Sequence, residues 1–157
     1  MNKILIALDY DPTAQKVAES GYALAKAMGA EIILQHVILE PIYYSSPDYS
    51  PVMGYVGIGT ADLLEMANSE KLENASMEFL TKTREHLGDK TIHLVVSGGD
   101  TAESILKTAK EFGVDIIVLG THSRRWLDKI LMGSVAEKVL HQSTVPLFII
   151  PTKEDKD

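Results

Sequence analysis

The chain has no cysteine. Disulfides, thiolate metal sites and cysteine nucleophiles are therefore excluded, and a reducing compartment is permitted without being required. Long apolar runs are also missing: none approaches the ~20 residues that span a bilayer. The segment between Met1-Asn2-Lys3 and Asp9 is too brief for the apolar region of a signal peptide. A cytoplasmic location with no membrane partner is the expectation. Positive charge is scarce, since 15 Lys and Arg against 22 Asp and Glu leave a formal charge of −7. That balance argues against a nucleic-acid binder, which would present a basic surface. It still admits a small anion where positive charge is locally concentrated. No Gly-x4-Gly-Lys-Ser/Thr loop occurs, so the P-loop NTPases are excluded. His36, His86, His93, His122 and His141 show no spacing that recruits a metal. No nucleophile is spaced with a base, and no dedicated catalyst is indicated.

What is present reads as one domain with a substantial core, and 45% apolar with 24% charged residues is ordinary for a globular chain. No internal repeat or second domain is visible. Residues 4–8 form a short apolar run, as expected of a strand buried on both faces. Asp11-Pro12 then has the form of an N-cap with Pro at the first helical position. Ala14, Val17, Ala18, Gly21, Leu24, Ala25 and Met28 recur at helical spacing up to Gly29. Ile32, Ile33, Leu34 and Val37 predict a second strand, which completes a right-handed βαβ unit.

Residues 41–60 break the pattern with Pro41, Pro47, Pro51, Gly54, Gly57, Gly59, Tyr43, Tyr44, Tyr49 and Tyr55. A loop of this length is a functional flap, an interface segment, a partly disordered stretch or simply a mobile surface loop. Residues 61–87 read as a long helix stopped by Gly88, and Ile92, Leu94, Val95 and Val96 as a third strand. Asp100-Thr101-Ala102-Glu103 has capping-box spacing ahead of the stripe Ala102, Ile105, Leu106, Ala109 and Phe112, which Gly113 ends. Residues 116–119 predict strand four, 135–140 a short helix and 147–150 strand five, followed by a charged tail. Five strands alternating with four helices imply an α/β fold. It is an open, doubly wound, mainly parallel five-stranded sheet with helices on both faces, Rossmann-like in plan.

In such sheets ligands lie at the carboxyl ends of the strands. Residues 120–135 leave from one of those ends and read Gly-Thr-His-Ser-Arg-Arg-Trp-Leu-Asp-Lys-Ile-Leu-Met-Gly-Ser-Val. A strand stops, a basic loop follows, and Gly133-Ser134 opens a helix whose unpaired N–H groups suit a phosphate. Arg124, Arg125 and Lys129 concentrate positive charge there, or else form a solvated face. Ser134 and Glu137 stand at Ser-x-x-Glu spacing, so Ser134 serves either as a helix cap or as a phosphate ligand. Asp9 is either a turn residue or a ligand group. Ser97-Gly98-Gly99-Asp100 reads as a turn feeding a helix.

These residues resemble the universal stress protein family over essentially the whole chain. The likeness runs through Ile4-Leu5-Ile6-Ala7-Leu8-Asp9, Gln35-His36-Val37, residues 113–120 and 133–140, and Val145-Pro146-Leu147. The nucleotide-binding branch of that family carries Gly-x2-Gly-x9-Gly-Ser/Thr. Here Gly120, Gly133 and Ser134 fill the first, third and last places, and Ser123 stands in place of the second glycine. Serine costs ~1–2 kcal/mol of strain if φ > 0 is needed there, yet its hydroxyl can bond a phosphate oxygen. Trp126 is a second departure. The resemblance implies ATP, with Mg²⁺ bridging its phosphates. It implies Asp9 on the ribose, the backbone of Val37 on adenine and Ala7 and Leu8 under the base. Leu119 and Gly120 would line the nucleotide, with Ser123 and Arg124 near its phosphates. Gly133, Ser134 and Val135 would receive those phosphates. It also implies a homodimer paired through residues 147–150, an apolar edge otherwise covered by the tail. The reading is a regulator that binds ATP without turning it over and serves an unidentified protein partner. The alternative is a dimeric interaction module that has lost the nucleotide.

Overall fold

A computed structural model of the chain describes residues 2–38, 52–53, 56–57, 69–121 and 133–152. In chain order the elements are β1 (Lys3–Ala7), α1 (Ala14–Met28), β2 (Glu31–Val37), β3 (Val52–Met53) and β4 (Val56–Gly57). They continue with α2 (Ser69–Leu87), β5 (His93–Ser97), α3 (Thr101–Phe112), β6 (Ile116–Gly120), α4 (Ser134–Gln142) and β7 (Leu147–Ile150). Five strands form one parallel sheet in the order β5-β2-β1-β6-β7. The doubly wound sheet expected from the alternation of patterns is therefore present.

Period-2 side-chain alternation splits the core into two layers. Ile4, Ile6, Ile32, Leu34 and Val118 pack against α1 and α2 through Val17, Ala18, Phe79 and Leu80. Leu5, Ile33, Ile117 and Leu119 pack on the other face against α3 and α4 through Ile105, Ala109, Ala136 and Val139. Burial on both faces is why these strands read as continuous apolar runs rather than as alternation. On α1 the contact with the sheet is unusually close at Gly21. A Cβ there would lie 2.8 Å from Ile6 Cδ1 and 3.1 Å from Val118 Cγ1. The buried hydroxyls of α2 are satisfied within the helix, Ser76 bonding Leu72 O at 2.8 Å and Thr83 bonding Phe79 O at 2.9 Å.

Glycines follow the ends of α1, α2 and α3. Gly29 has φ 62°, and the N–H of Ala30 reaches back to Ala25 O at 2.9 Å, closing a Schellman motif. The start of α1 differs from the expectation. Asp11 accepts from Thr13 N at 2.8 Å and Thr13 Oγ1 at 2.7 Å, so it closes a turn ahead of the helix. Regular helix begins at Ala14. Within residues 41–60, expected to be irregular, β3 and β4 pair antiparallel, Val52 with Gly57 and Met53 with Val56. The remainder of that segment, the expected helical start at 61–68 and the tail at 153–157 lie outside the described residues. Among the described residues, no helix is long and apolar enough to cross a membrane.

Candidate functional site

Strand order reverses between β1 and β6, since β1 neighbours β2 on one side and β6 on the other. The register Ala7 with Gln35, Ile6 with Val118, and Gly120 with Ile150 brings the exits of β1, β2 and β6 to one edge. This is the crevice where doubly wound sheets take ligands.

Leu8 and Asp9 leave β1 under tight control. The N–H of Leu8 donates to Gln35 O at 2.8 Å. Its carbonyl accepts from Nδ1–H of His36, also at 2.8 Å. A carbonyl oxygen can only accept, so the neutral ring carries its proton on Nδ1. Burial pushes the His36 imidazole down to a pKa of about 4, and the Leu8 bond offsets only part of that. Leu8 is buried, whereas Ala7 and Asp9 are half-buried at the crevice. Val37 is buried at the end of β2, and the following N–H, that of Ile38, continues the ladder to Ser97 O at 2.7 Å.

Beneath this edge Gln35 is fully buried. Its Nε2 meets Ser97 Oγ and Thr108 Oγ1, each at 2.9 Å. Its Oε1 has no hydrogen-bond partner among the described residues. Sequence reasoning gave Gln35 and His36 no role. The available signal was two consecutive polar residues inside a run buried on both faces, since each must find a bond there.

Leu119 is buried and Gly120 half-buried. Gly120 has a packing reason to be glycine. A Cβ there would lie 2.9 Å from Thr152 Cγ2 and 3.0 Å from Val17 Cγ2. Beyond it, Thr121 accepts the N–H of Gly133 on its carbonyl oxygen, which draws the start of α4 to the end of β6.

At α4 the capping residue is Gly133, in extended geometry (φ −70°, ψ 161°), and no side chain among the described residues caps the helix. The Ser134–Glu137 capping box is therefore not formed; Ser134 is the exposed first helical residue. The first intrahelical bond runs from Glu137 N to Gly133 O at 3.0 Å. Among the described residues, the N–H groups of Ser134, Val135 and Ala136 have no hydrogen-bond partner. Three free donors at the positive end of a helix dipole are the kind of group that favours an anion. Lys138 on the same helix is engaged elsewhere, 3.1 Å from Asp100 Oδ1 and 4.0 Å from Glu103 Oε1. The Asp100 carboxylate caps α3 by accepting from Glu103 N at 3.0 Å, as its spacing predicted. That bond, followed by Lys138, holds its pKa below the usual carboxylate range. Ser123, Arg124, Arg125, Trp126 and Lys129 lie outside the described residues. Among the described residues, no group of three or more His, Asp or Glu side chains could hold a metal ion.

The model of the universal stress protein family matches residues 1–151. The chain belongs to the universal stress protein family. Universal stress protein MJ0577 of Methanocaldococcus jannaschii is 32% identical over 156 residues, covering 96% of this chain and 95% of its own. The solved structure of MJ0577 matches with a TM-score of 0.72 at 28% identity, covering 98% of each chain. A universal stress protein in complex with cAMP shares the fold at 18% identity and a TM-score of 0.59, covering 97% of this chain and 98% of its own. The universal stress protein from Archaeoglobus fulgidus in complex with dAMP does so at 20% identity and 0.56, covering 96% and 98%.

Proposed function

We propose that this universal stress protein belongs to the nucleotide-binding branch of its family and acts as a regulator that binds ATP rather than consuming it. One observation carries the reading: the three N–H groups of Ser134, Val135 and Ala136, unpartnered among the described residues, set beside the strand-order reversal and preceded by Gly133. The cAMP and dAMP complexes of its relatives support an adenine nucleotide as the anion.

In this reading Asp9 bonds the ribose, the backbone of Val37 meets adenine, and Ala7, Leu8, Leu119 and Gly120 line the base and sugar. Gly133, Ser134 and Val135 receive the phosphates through N–H groups and the Ser134 hydroxyl. Ser123 supplies a further hydroxyl and Arg124 the charge that Lys138 does not. Free amide donors fit phosphate oxygens. With no carboxylate cluster among the described residues, Mg²⁺ would be held by the phosphates themselves and neutralise their charge. Binding, not turnover, is the proposed activity.

The partner proposed with it is a second copy of the chain, paired through β7. That strand is an edge of the sheet, and Phe148 on it is 40% exposed, with Leu140 on α4 at 52%. A parallel edge strand carrying exposed apolar side chains favours a covering partner. The packing reason for Gly120 favours a second reading. One motif glycine is accounted for without a ligand, as it would be in a dimeric interaction module that binds no nucleotide. Calorimetric titration with ATP-Mg separates the two. Saturable binding in the micromolar range is expected; no saturation at millimolar ATP would leave the interaction module.

A further inference from the structure

Thr121 is the first residue beyond β6, and three of its polar groups bind different parts of the chain. Its N–H donates to Ile150 O at 3.0 Å, extending the β6–β7 ladder past the Gly120–Ile150 pair. Its carbonyl oxygen accepts the N–H of Gly133, the capping residue of α4. Its Oγ1 accepts the N–H of Thr152 at 3.1 Å and lies 3.0 Å from Thr152 Oγ1. Thr152 is buried at 7% exposure, with its Cγ2 filling the space above Gly120.

We propose that Thr121 and Thr152 form a hydroxyl clasp that positions the anion-receiving end of α4, Thr121 acting through the backbone of Gly133. The inference rests on the reading of that end as the phosphate site. The free N–H groups of Ser134, Val135 and Ala136 begin one residue after the tethered amide of Gly133, so the tether determines where they point. A hydrogen bond weakens steeply when its angle falls, and donors held in place before binding lose less on ordering than donors that must be ordered by the ligand. The clasp joins Thr121 to the segment after β7. With the Thr152 bonds lost, Thr121 is anchored less firmly to that segment, and the helix start follows its movement. The residue that completes the clasp, Thr152, belongs to the segment after β7. It lies in none of the motif positions.

Thr121→Val tests this, because valine keeps the branched volume and removes the oxygen that both Thr152 contacts require. The expected result is an ATP-Mg Kd about tenfold higher, an unchanged Kd for adenosine, which has no phosphate, and recovery in Thr121→Ser. Thr152→Val keeps the packing on Gly120 and the backbone donor, so a smaller loss, about threefold, is expected. It also serves if Thr121→Val does not fold, in which case an unchanged ATP-Mg Kd in Thr152→Val overturns the clasp. Equal ATP affinity in wild type and Thr121→Val overturns the clasp and leaves the phosphate site standing. An equal loss for ATP and adenosine also overturns it, because general loosening would weaken both. Failure of the wild-type protein to bind ATP removes the site reading and the clasp with it.

Discussion

The imidazole of His36 donates to the backbone carbonyl of Leu8 at 2.8 Å, from a position with no solvent exposure. Around it stand Tyr10 and Phe79, with ring centroids 6.2 and 5.8 Å from the His36 ring. The bond ties the interior of β2 to the residue just before Asp9, so a core group and the crevice share one backbone position.

Stability should consequently depend on pH through His36. Its pKa falls from 6.5 to about 4 on folding, so between those values the unfolded chain binds the extra proton. The contribution is fully present above pH 6.5 and is lost as pH falls toward 4; at its largest it is roughly 3 kcal/mol. Urea midpoints measured at pH 7 and pH 5 should drop for the wild type. They should drop less for His36→Asn, whose amide retains a donor near the Nδ1 position but does not titrate. Equal drops in both proteins would assign the dependence to other groups.

Replacing the capping glycine of α4 should separate stability from binding. Gly133 has extended geometry that any residue adopts, and its position is one where Asp is favoured. In Gly133→Asp the new carboxylate can accept from the free N–H groups that ATP requires. Thermal unfolding should show a fold retained or strengthened by a few tenths of a kcal/mol, while ATP-Mg binding disappears. Undiminished binding by this variant would remove α4 from the phosphate site.

At Gly120 the balance falls the other way. An added Cβ would meet Thr152 Cγ2 at 2.9 Å and Val17 Cγ2 at 3.0 Å, and both atoms belong to stiff β-branched side chains. Gly120→Ala should destabilise by about 1–3 kcal/mol through overpacking. The double variant Gly120→Ala with Thr152→Ser removes one of the two clashing methyls and should recover part of that loss in a denaturation experiment. No recovery would show that Val17 or the backbone sets the cost.

On the edge strand, Phe148 is partly exposed without lying in the core. Phe148→Lys should leave the unfolding midpoint of the monomer close to wild type and shift sedimentation toward the single chain. A lysine on an exposed edge opposes strand pairing. A wild type that sediments as a monomer at high concentration would refute pairing through β7.

Local information carried the sequence reading a long way. Strand β7 was expected at residues 147–150 and stands there, and β6 runs one residue past the expected 116–119. The Asp100 cap was legible because a capping side chain and the N–H it serves lie three residues apart. The same rule failed at Ser134. Its spacing to Glu137 fits a capping box, but Gly133 is tethered to Thr121 and its own carbonyl accepts the Glu137 N–H, which sets the helix start one residue earlier.

Periodicity, turn residues and capping side chains depend on neighbours within a few positions, and these alone specified the α/β alternation and the positions of most elements. Only the folded chain decided that β1 and β6 lie side by side, that His36 holds the carbonyl of Leu8, and that Thr152 meets Thr121 and crowds Gly120. Those contacts join segments far apart in the chain, and each forms because two buried layers, closing on one sheet, bring those atoms within reach of one another.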